Sequence, residues 1–310
     1  MQTARLPDDL LEAIREHVSA FSTTELAAAA QRISEAYREG LPPMLDTPAR
    51  RAAYLATRLP ATYAALTRAA AELPFQPGSW LDLGAGPGAA AWVARCPVTL
   101  VDANPRWEDL RPAKRICASL ERLPGLEAHD VVSLAYVLNE LAPAARAKLV
   151  EEAWRLAWRA LVLVEPGTPQ GFEILLAARR QLVESGARIL APCPHGGACP
   201  LEGKNWCHFA VRVERSRLHR QLKGGSLGFE DEKFCYLAVM REDARAASAR
   251  VLRHPEVRQG WIRLRLCTGD GVQERTVTRR DRQWRQARKV SWGDRWADAD
   301  AADPGNLEQE

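Results

Sequence analysis

The chain has 310 residues, 46% hydrophobic and 26% charged, with a net charge of only +4; this excludes a disordered, fibrous or uniformly polyionic protein and predicts a real core in one large or two ordinary domains. No apolar run approaches the roughly 20 residues of a membrane span. The opening MQTARLPDDLLEAIREHV carries early acids and lacks the apolar run of a signal peptide and the acid-poor composition of a transit peptide. These features predict a soluble cytoplasmic protein with no membrane partner. In such a reducing compartment, seven cysteines point to metal or catalysis rather than disulfides.

Residues 5–72 read as helices. Apolar positions recur at helical spacing in LLEAIREHV and LAAAAQRISEAY, FSTTEL supplies a Ser/Thr cap ahead of an acid, and YLATRLPATYAALTRAAAEL breaks or restarts at Pro60. The pattern changes at Ser79. SWLDLG, PVTLVDAN, HDVVSLAYVL and ALVLVEPG read as four strands, with helices in AAAWVA and AARAKLVEEAWRLA. Strands alternating with helices predict a parallel sheet covered on both faces.

Between the first strand and its helix lies LDLGAGPG. Gly84, Gly86 and Gly88 allow a tight turn and close approach of backbone to a ligand, and the helix behind them offers N–H groups. Eighteen residues after Gly84, Asp102 ends the next strand, where a carboxylate can accept both hydroxyls of an adenosine ribose. Gly84-x-Gly86-x-x-Ala89 also satisfies the looser dinucleotide fingerprint. The string Asp82-Leu-Gly-Ala-Gly-Pro-Gly88 resembles motif I of class I S-adenosylmethionine (SAM) methyltransferases, which favours SAM over NAD. The resemblance implies a cofactor set of Asp82, Gly84, Ala85, Gly86, Pro87, Gly88 and Asp102. After HDVVSLAYVL, AYVLNEL lacks the Asn/Asp-Pro-Pro-aromatic string of amino-directed enzymes. Cys96-Pro97 lies in the wrong place for a cytosine-directed nucleophile. Asn139 and Glu140 could polarise a substrate, but a helix cap and a solvated acid account for them more simply, and no catalytic base is assigned.

The alternation stops near residue 182, and APCPHGGACPLEGKNWCHF follows. Cys193, Cys199 and Cys207 are spaced C-x5-C-x7-C, longer than the x2–4 gap with which a zinc knuckle aims two thiolates at one ion. The radical-SAM spacing is absent. A larger iron–sulfur cluster accepts wider loops, and Cys193-Pro194 and Cys199-Pro200 suit such ligands. Candidates for a fourth ligand are Cys235, Cys267, His195 and His208. Cys267 ends an arginine-rich strand whose hairpin can fold back on the loop, whereas Cys235 in KFCYLAVM reads as a packed small hydrophobe. Cys96 and Cys117 read as core or incidental thiols.

WIRLRLCTGDGVQERTVTR predicts a hairpin turning at Gly269-Asp270-Gly271. Residues 241–295 hold 15 Lys/Arg against 7 Asp/Glu, an excess of 8. ERTVTRRDRQWRQARKVSWGDRW interleaves arginines with Trp284, Trp292 and Trp296, a composition suited to phosphate pairing and base stacking. RVERSRLHRQLKGG, residues 212–225, adds a second basic run. The tail ADADAADPGNLEQE reads as disordered.

RLPATYAA, LVEPGTPQGF, CPHGGACP with WCHF, FEDEKFCYL and RQARKVSWGD occur in the order of one family. Over residues 50–296 the chain resembles the mitochondrial ribosomal small-subunit methyltransferase-like assembly proteins and their bacterial relatives. That resemblance implies a class I methyltransferase fold, SAM as cofactor, small-subunit ribosomal RNA and the pre-small subunit as partners, and a 4Fe-4S cluster on Cys193, Cys199, Cys207 and Cys267, with zinc the second choice. It implies an rRNA methyltransferase, or else an assembly factor that keeps the fold without catalysis, monomeric off the ribosome. The expected architecture is an N-terminal helical region (1–74), a Rossmann-like α/β methyltransferase domain (75–182), a cysteine-cluster and basic hairpin domain (183–296) and an acidic tail (297–310).

Overall fold

The computed structural model describes residues 3–107, 110–242 and 246–297. A short strand β1 (Thr3–Ala4) precedes four helices, α1 (Asp8–Val18), α2 (Thr23–Arg38), α3 (Pro48–Thr57) and α4 (Leu59–Ala70). Side chains cap two of them: Ser22 accepts the N–H of Glu25 ahead of α2, and Thr47 that of Arg50 ahead of α3. Pro60 sits in the first turn of α4, where its missing N–H costs nothing.

The alternating region follows as β2 (Trp80–Leu83), α5 (Ala89–Val93), β3 (Val98–Asp102), β4 (Lys114–Cys117), β5 (His129–Ala135), a 3-10 turn at Leu138–Glu140, α6 (Pro143–Leu156), β6 (Ala157–Pro166) and α7 (Pro169–Glu184). Then come β7 (Arg188–Ala191), β8 (Phe209–Glu214), α8 (Arg217–Lys223) and β9 (Phe229–Met240). The last elements are β10 (Ala249–Val251), β11 (Glu256–Arg258), β12 (Trp261–Thr268), β13 (Gly271–Thr278), α9 (Trp284–Ala287) and β14 (Arg295–Trp296).

The main sheet runs β1-β8-β9-β6-β5-β2-β3-β4, with β7 also paired to β9. Strands β2 to β6 are mutually parallel. β9 enters antiparallel between β6 and β8. A five-strand parallel set with one antiparallel strand wedged beside its last member is the class I methyltransferase-like arrangement. The strand order reverses at β2, with β3 on one side and β5 on the other, and opens a crevice above their carboxyl ends.

Alternation along the buried strands divides the core. Trp80, Leu100, Val131, Val162 and Val164 face the N-terminal helices and α5. Leu81, Leu83, Val132, Leu161 and Leu163 face α6 and α7. A smaller sheet, β11-β12-β10-β14 with β13 against β12, has its own core of Val251, Ile262, Leu264, Leu266, Val277 and Trp296. Along β12 these apolar residues alternate with outward Arg263 and Arg265.

The structure moves one expected boundary. The parallel sheet does not end at residue 182: β7, β8 and β9, from the expected cysteine-cluster domain, complete it as far as Met240. The N-terminal region is also not wholly helical, because β1 pairs in parallel with β8.

A buried ionic knot ties the two sheets together. Glu72, just beyond α4, accepts Arg250 Nη1 at 2.7 Å and Nη2 at 3.3 Å, Arg295 Nε at 2.8 Å, Arg68 Nη1 at 3.1 Å and the Tyr236 hydroxyl at 3.0 Å. Arg250 is 1% exposed. It also donates to the carbonyls of Pro192 and Gly293 at 3.0 and 2.9 Å, so all three of its nitrogens are engaged.

Candidate functional site

The crevice above the switch point is lined by Gly84 and Gly86, by Asp102, Ala103, Asn104 and Trp107, by Ser119 to Glu121, by Ala135 to Val137 with Glu140 and Leu141, and by Tyr37, Pro42, Pro43, Leu45 and Tyr54. The glycine loop needs its glycines. Gly84, Gly86 and Gly88 all have positive φ, and a Cβ on Gly84 would collide with Val137 Cγ2. Asp102 accepts the N–H of Gly86 on one carboxylate oxygen at 2.7 Å and that of Asn104 on the other at 2.8 Å. Each oxygen keeps a lone pair for a ligand hydroxyl.

Of the expected cofactor residues, Gly84, Gly86 and Asp102 reach the crevice wall. Ala85, Pro87 and Gly88 shape the turn. Asp82 lies inside, 3% exposed, where Ser133 donates to its carboxylate while accepting the Trp80 indole N–H at 2.8 Å. Burial, relieved in part by Ser133, pushes its pKa up to about 7. The expected helix behind the loop is only Ala89–Val93, too short to add much dipole, and the side chain of Arg115 donates to the Gly86 carbonyl at 3.0 Å.

In the loop after β5, sequence reasoning singled out Asn139 and Glu140 but missed Tyr136 and the remote groups that hold it. Tyr136 has φ 61, the one non-glycine residue with positive φ among those described. Such a conformation costs on the order of 1–3 kcal/mol and persists only where the surroundings hold it. Glu165, fully buried at the end of β6, supplies that hold. Its carboxylate accepts the N–H groups of Val137 at 3.1 Å, Leu138 at 2.8 Å and Asn139 at 3.2 Å. Burial pushes its pKa up to about 8 against the pull of those three amides. With its amide turned to donate, Asn139 reaches Tyr136 O and Glu165 Oε2. Asn139 is therefore spent on the loop itself. The Tyr136 hydroxyl donates to Glu232 at 2.7 Å, and Arg58 lies 3.9 Å from the same carboxylate. Arg58 begins RLPATYAA, Glu165 lies in LVEPG and Glu232 in FEDEKFCYL. The visible signal was thus in those strings, all of which converge behind the Tyr136–Val137 wall of the crevice.

The cysteines form a second site. Cys193, Cys199, Cys207 and Cys267 line one chamber with Phe172, Arg179, His195 and Arg250. Cys207 feels the charge of the other three, and Cys267 that of Cys193 and Cys199. Burial and those neighbours push Cys207 well up and Cys267 to about 12. Cys267 pairs across the strands with Arg250. Cys235 also lines the chamber, but its thiol donates to the Cys207 carbonyl at 3.0 Å, opposite Glu165 in the sheet. Arg179 donates to the carbonyls of His195 and Gly197 at 2.9 and 2.7 Å and braces the loop. His208 stacks on Trp206 and meets Trp292 edge-on, both centroids within 5.2 Å, as a packing residue. Among the described residues, no three His, Cys, Asp or Glu side chains are arranged to hold a single metal ion.

The family model described as "Mitochondrial small ribosomal subunit Rsm22" matches residues 48–297. The chain belongs to the Rsm22 family. One similar relative is the human protein named "Ribosome assembly protein METTL17, mitochondrial", 28% identical over 284 residues, covering 78% of this chain and 61% of that one. Another is the Schizosaccharomyces pombe "Rsm22-cox11 tandem protein 2, mitochondrial", 25% identical, covering 69% of this chain and 38% of that one. The chain thus spans less than two thirds of the length of either relative. Among solved structures, the N-methyltransferase NodS of Bradyrhizobium japonicum with S-adenosylhomocysteine aligns at TM-score 0.39 and 12% identity, over 68% of this chain and 99% of that one. The magnesium protoporphyrin IX methyltransferase of Synechocystis aligns at TM-score 0.39 and 13% identity, over 70% and 100%.

The basic features of this Rsm22-family chain separate into two kinds. The run at 212–225 is partly paired with acids: Arg212 with Asp231, and Arg215 and Lys223 with Glu230. The segment after β13 is different. Arg279, Arg280, Arg282, Arg285, Arg288 and Lys289 are exposed, and Asp281, the acid among them, is used by the backbone and hydroxyl of Thr278. The interleaved tryptophans pack inward: Trp296 is 0% exposed, Trp284 lies against the small-sheet core, and Trp292 meets His208 and His254. They are not a stacking platform for bases. The disordered tail expected at 297–310 lies, apart from Ala297, outside the described residues.

Proposed function

We propose that this Rsm22-family chain binds SAM in the switch-point crevice, contacts small-subunit ribosomal RNA through the cations of residues 279–289 during subunit assembly, and methylates that RNA. The observation that carries the cofactor reading is the cradle itself: Gly84 and Gly86 open the wall, and Asp102 is fixed between two backbone amides at the end of β3. Class I topology and the family's assembly names support it. When bound, SAM supplies an electrophilic methyl on a positively charged sulfur. The chain's own contribution is positional. Asp102 orients the ribose end, the Tyr136–Glu140 wall is locked by Glu165, and the cationic segment fixes the RNA backbone without reading its sequence.

The engagement of Asn139 with Tyr136 and Glu165 favours a second reading, an assembly factor that binds SAM without transferring its methyl. The Asp102→Ala variant separates the two in cells. A missing methyl mark on small-subunit RNA with assembly intact supports the enzyme. Impaired assembly with every mark present supports the factor. Replacing Arg279, Arg282, Arg285 and Arg288 by alanine is expected to weaken RNA binding on the order of tenfold or more and to flatten its salt dependence by about 0.7–0.9 for each phosphate no longer neutralised. Melting should be unchanged, because these side chains are exposed. RNA affinity equal to that of the wild type would place the RNA-binding surface elsewhere.

The chamber residues fit a 4Fe-4S cluster: four cysteines from two separate segments line one chamber, with Cys235 engaged elsewhere and Arg179 and Arg250 in the same lining. A cubane would supply four iron–thiolate bonds tying the 191–209 loop to β12. Anaerobically purified protein is expected to be brown, with about four irons per chain, and Cys267→Ala to lose them. A colourless protein with one zinc per chain would overturn the cluster.

A further inference from the structure

The N-terminal helices supply two tyrosines to the crevice, Tyr37 from the last turn of α2 and Tyr54 from α3. Neither has a role in the cofactor cradle, and Tyr37 lies outside the residues that match the family model. Behind them stands Arg58, between α3 and α4. Its guanidinium lies 5.1 Å from the Tyr37 ring centroid and 6.0 Å from that of Tyr136. The acid it faces, Glu232, is 3.9 Å away and already accepts the Tyr136 hydroxyl. Arg58 Nε is buried without a hydrogen-bond partner among the described residues. A fork of five donors with one long ion pair is under-used, and its geometry matches a carboxylate.

At the crevice mouth stands Glu140. Tyr37 and Tyr54 line the crevice together with Glu140, and both phenols feel the positive charge of Arg58 and the negative charge of Glu140. Burial and the Asp102 carboxylate push the Glu140 pKa up to about 7; a bound cation beside it would reverse that push. The crevice therefore presents a carboxylate and two phenols, with the Arg58 guanidinium directly behind the Tyr37 and Tyr136 rings, together the complement of a group carrying both a carboxylate and an ammonium.

We propose that Arg58, Tyr37, Tyr54 and Glu140 form the subsite for the zwitterionic amino-acid end of SAM, so that the N-terminal helices complete the cofactor pocket. Arg58 and the tyrosine hydroxyls receive the carboxylate, and Glu140 receives the ammonium. The proposal rests on the cofactor reading given above and extends it to residues that the glycine-loop motif does not contain.

The test is calorimetric binding of two ligands to the full chain. S-adenosylhomocysteine carries the amino-acid end; 5′-methylthioadenosine keeps the nucleoside and thioether and lacks it. Arg58→Met and Glu140→Gln are each expected to weaken S-adenosylhomocysteine about tenfold or more, as the loss of one charge-assisted hydrogen bond does. Both should leave methylthioadenosine within about twofold of the wild type, since the nucleoside contacts are untouched. Asp102→Ala should weaken both ligands. If Arg58→Met fails to fold, Glu140→Gln, at the open mouth, decides the matter. Unchanged S-adenosylhomocysteine affinity, or equal losses for both ligands, overturns the subsite and leaves the cofactor reading standing. Wild-type protein that binds neither ligand overturns both.

Discussion

Replacing Glu72 by alanine is expected to destabilise the protein by about 3–5 kcal/mol, the cost of leaving a buried charge without its partner. The stranded group is Arg250, 1% exposed, with both terminal nitrogens on the Glu72 carboxylate. Arg68, Arg295 and Tyr236 lose an acceptor in the same step. For a chain of this size the loss corresponds to a drop in Tm of roughly 5–8 °C. The pH dependence follows from the same carboxylate. Burial alone would raise its pKa, but Arg250 and Arg295 outweigh that and hold it at about 2, against an ordinary 4.5. Between those values the unfolded chain binds the extra proton. The knot's contribution is therefore complete above about pH 4.5 and fades as the pH falls toward about 2. Glu72→Ala should flatten that acid limb. A variant that melts with the wild type would show that the knot does not hold the sheets together.

The second large effect is expected at Glu165. Glu165→Ala removes the acceptor of three backbone N–H groups at once. Each buried amide left unpaired costs about 1–3 kcal/mol, so the loss should reach several kcal/mol unless the loop moves. If the loop moves, the strained turn at Tyr136 relaxes and the crevice wall goes with it. In either case S-adenosylhomocysteine affinity should fall, by about tenfold or more on the scale of a few kcal/mol. Glu165→Gln keeps one carbonyl oxygen for Val137 and Leu138 and should lie between alanine and the wild type. Chemical denaturation and calorimetry on the three proteins check the order. Equal stability and affinity across them would remove Glu165 from the architecture of the pocket.

Local pattern was enough for the parallel strands. SWLDLG, PVTLVDAN, HDVVSLAYVL and ALVLVEPG are short apolar runs between turn residues, and each is a strand. It was not enough for the sheet's far side. Nothing near residue 182 announces that residues 234–240 return to lie against 160–166, because that pairing is set by burial of both partners and not by any turn. The candidate site divides in the same way. Gly84, Gly86 and Asp102 could be read from spacing, since strand, loop and acid are neighbours in sequence. Arg58, Glu165 and Glu232 stood in strings that were visible, but their partners are remote: Tyr136 and Glu232 are separated by 96 residues and Glu72 and Arg250 by 178. The charge runs were legible as composition only. Whether an arginine meets water or an internal acid depends on what the fold brings opposite, as Arg215 with Glu230 and the exposed Arg285 show.

The antiparallel strand β9 has a consequence for the chain as it is made. It joins β6 on one side to β8 and β7 on the other, so the edge of β6 away from β5, the edge of β8 away from β1 and the pairing edge of β7 all stay open until residues 229–240 have been synthesised. A nascent or truncated chain that stops short of them carries the apolar edge Ala160–Pro166 and the edge Phe209–Glu214 with unfilled ladders. Such edges recruit any other extended segment within reach. The last strand to enter the main sheet is thus also its seal against self-association, and chaperone dependence should be concentrated in the interval before it emerges.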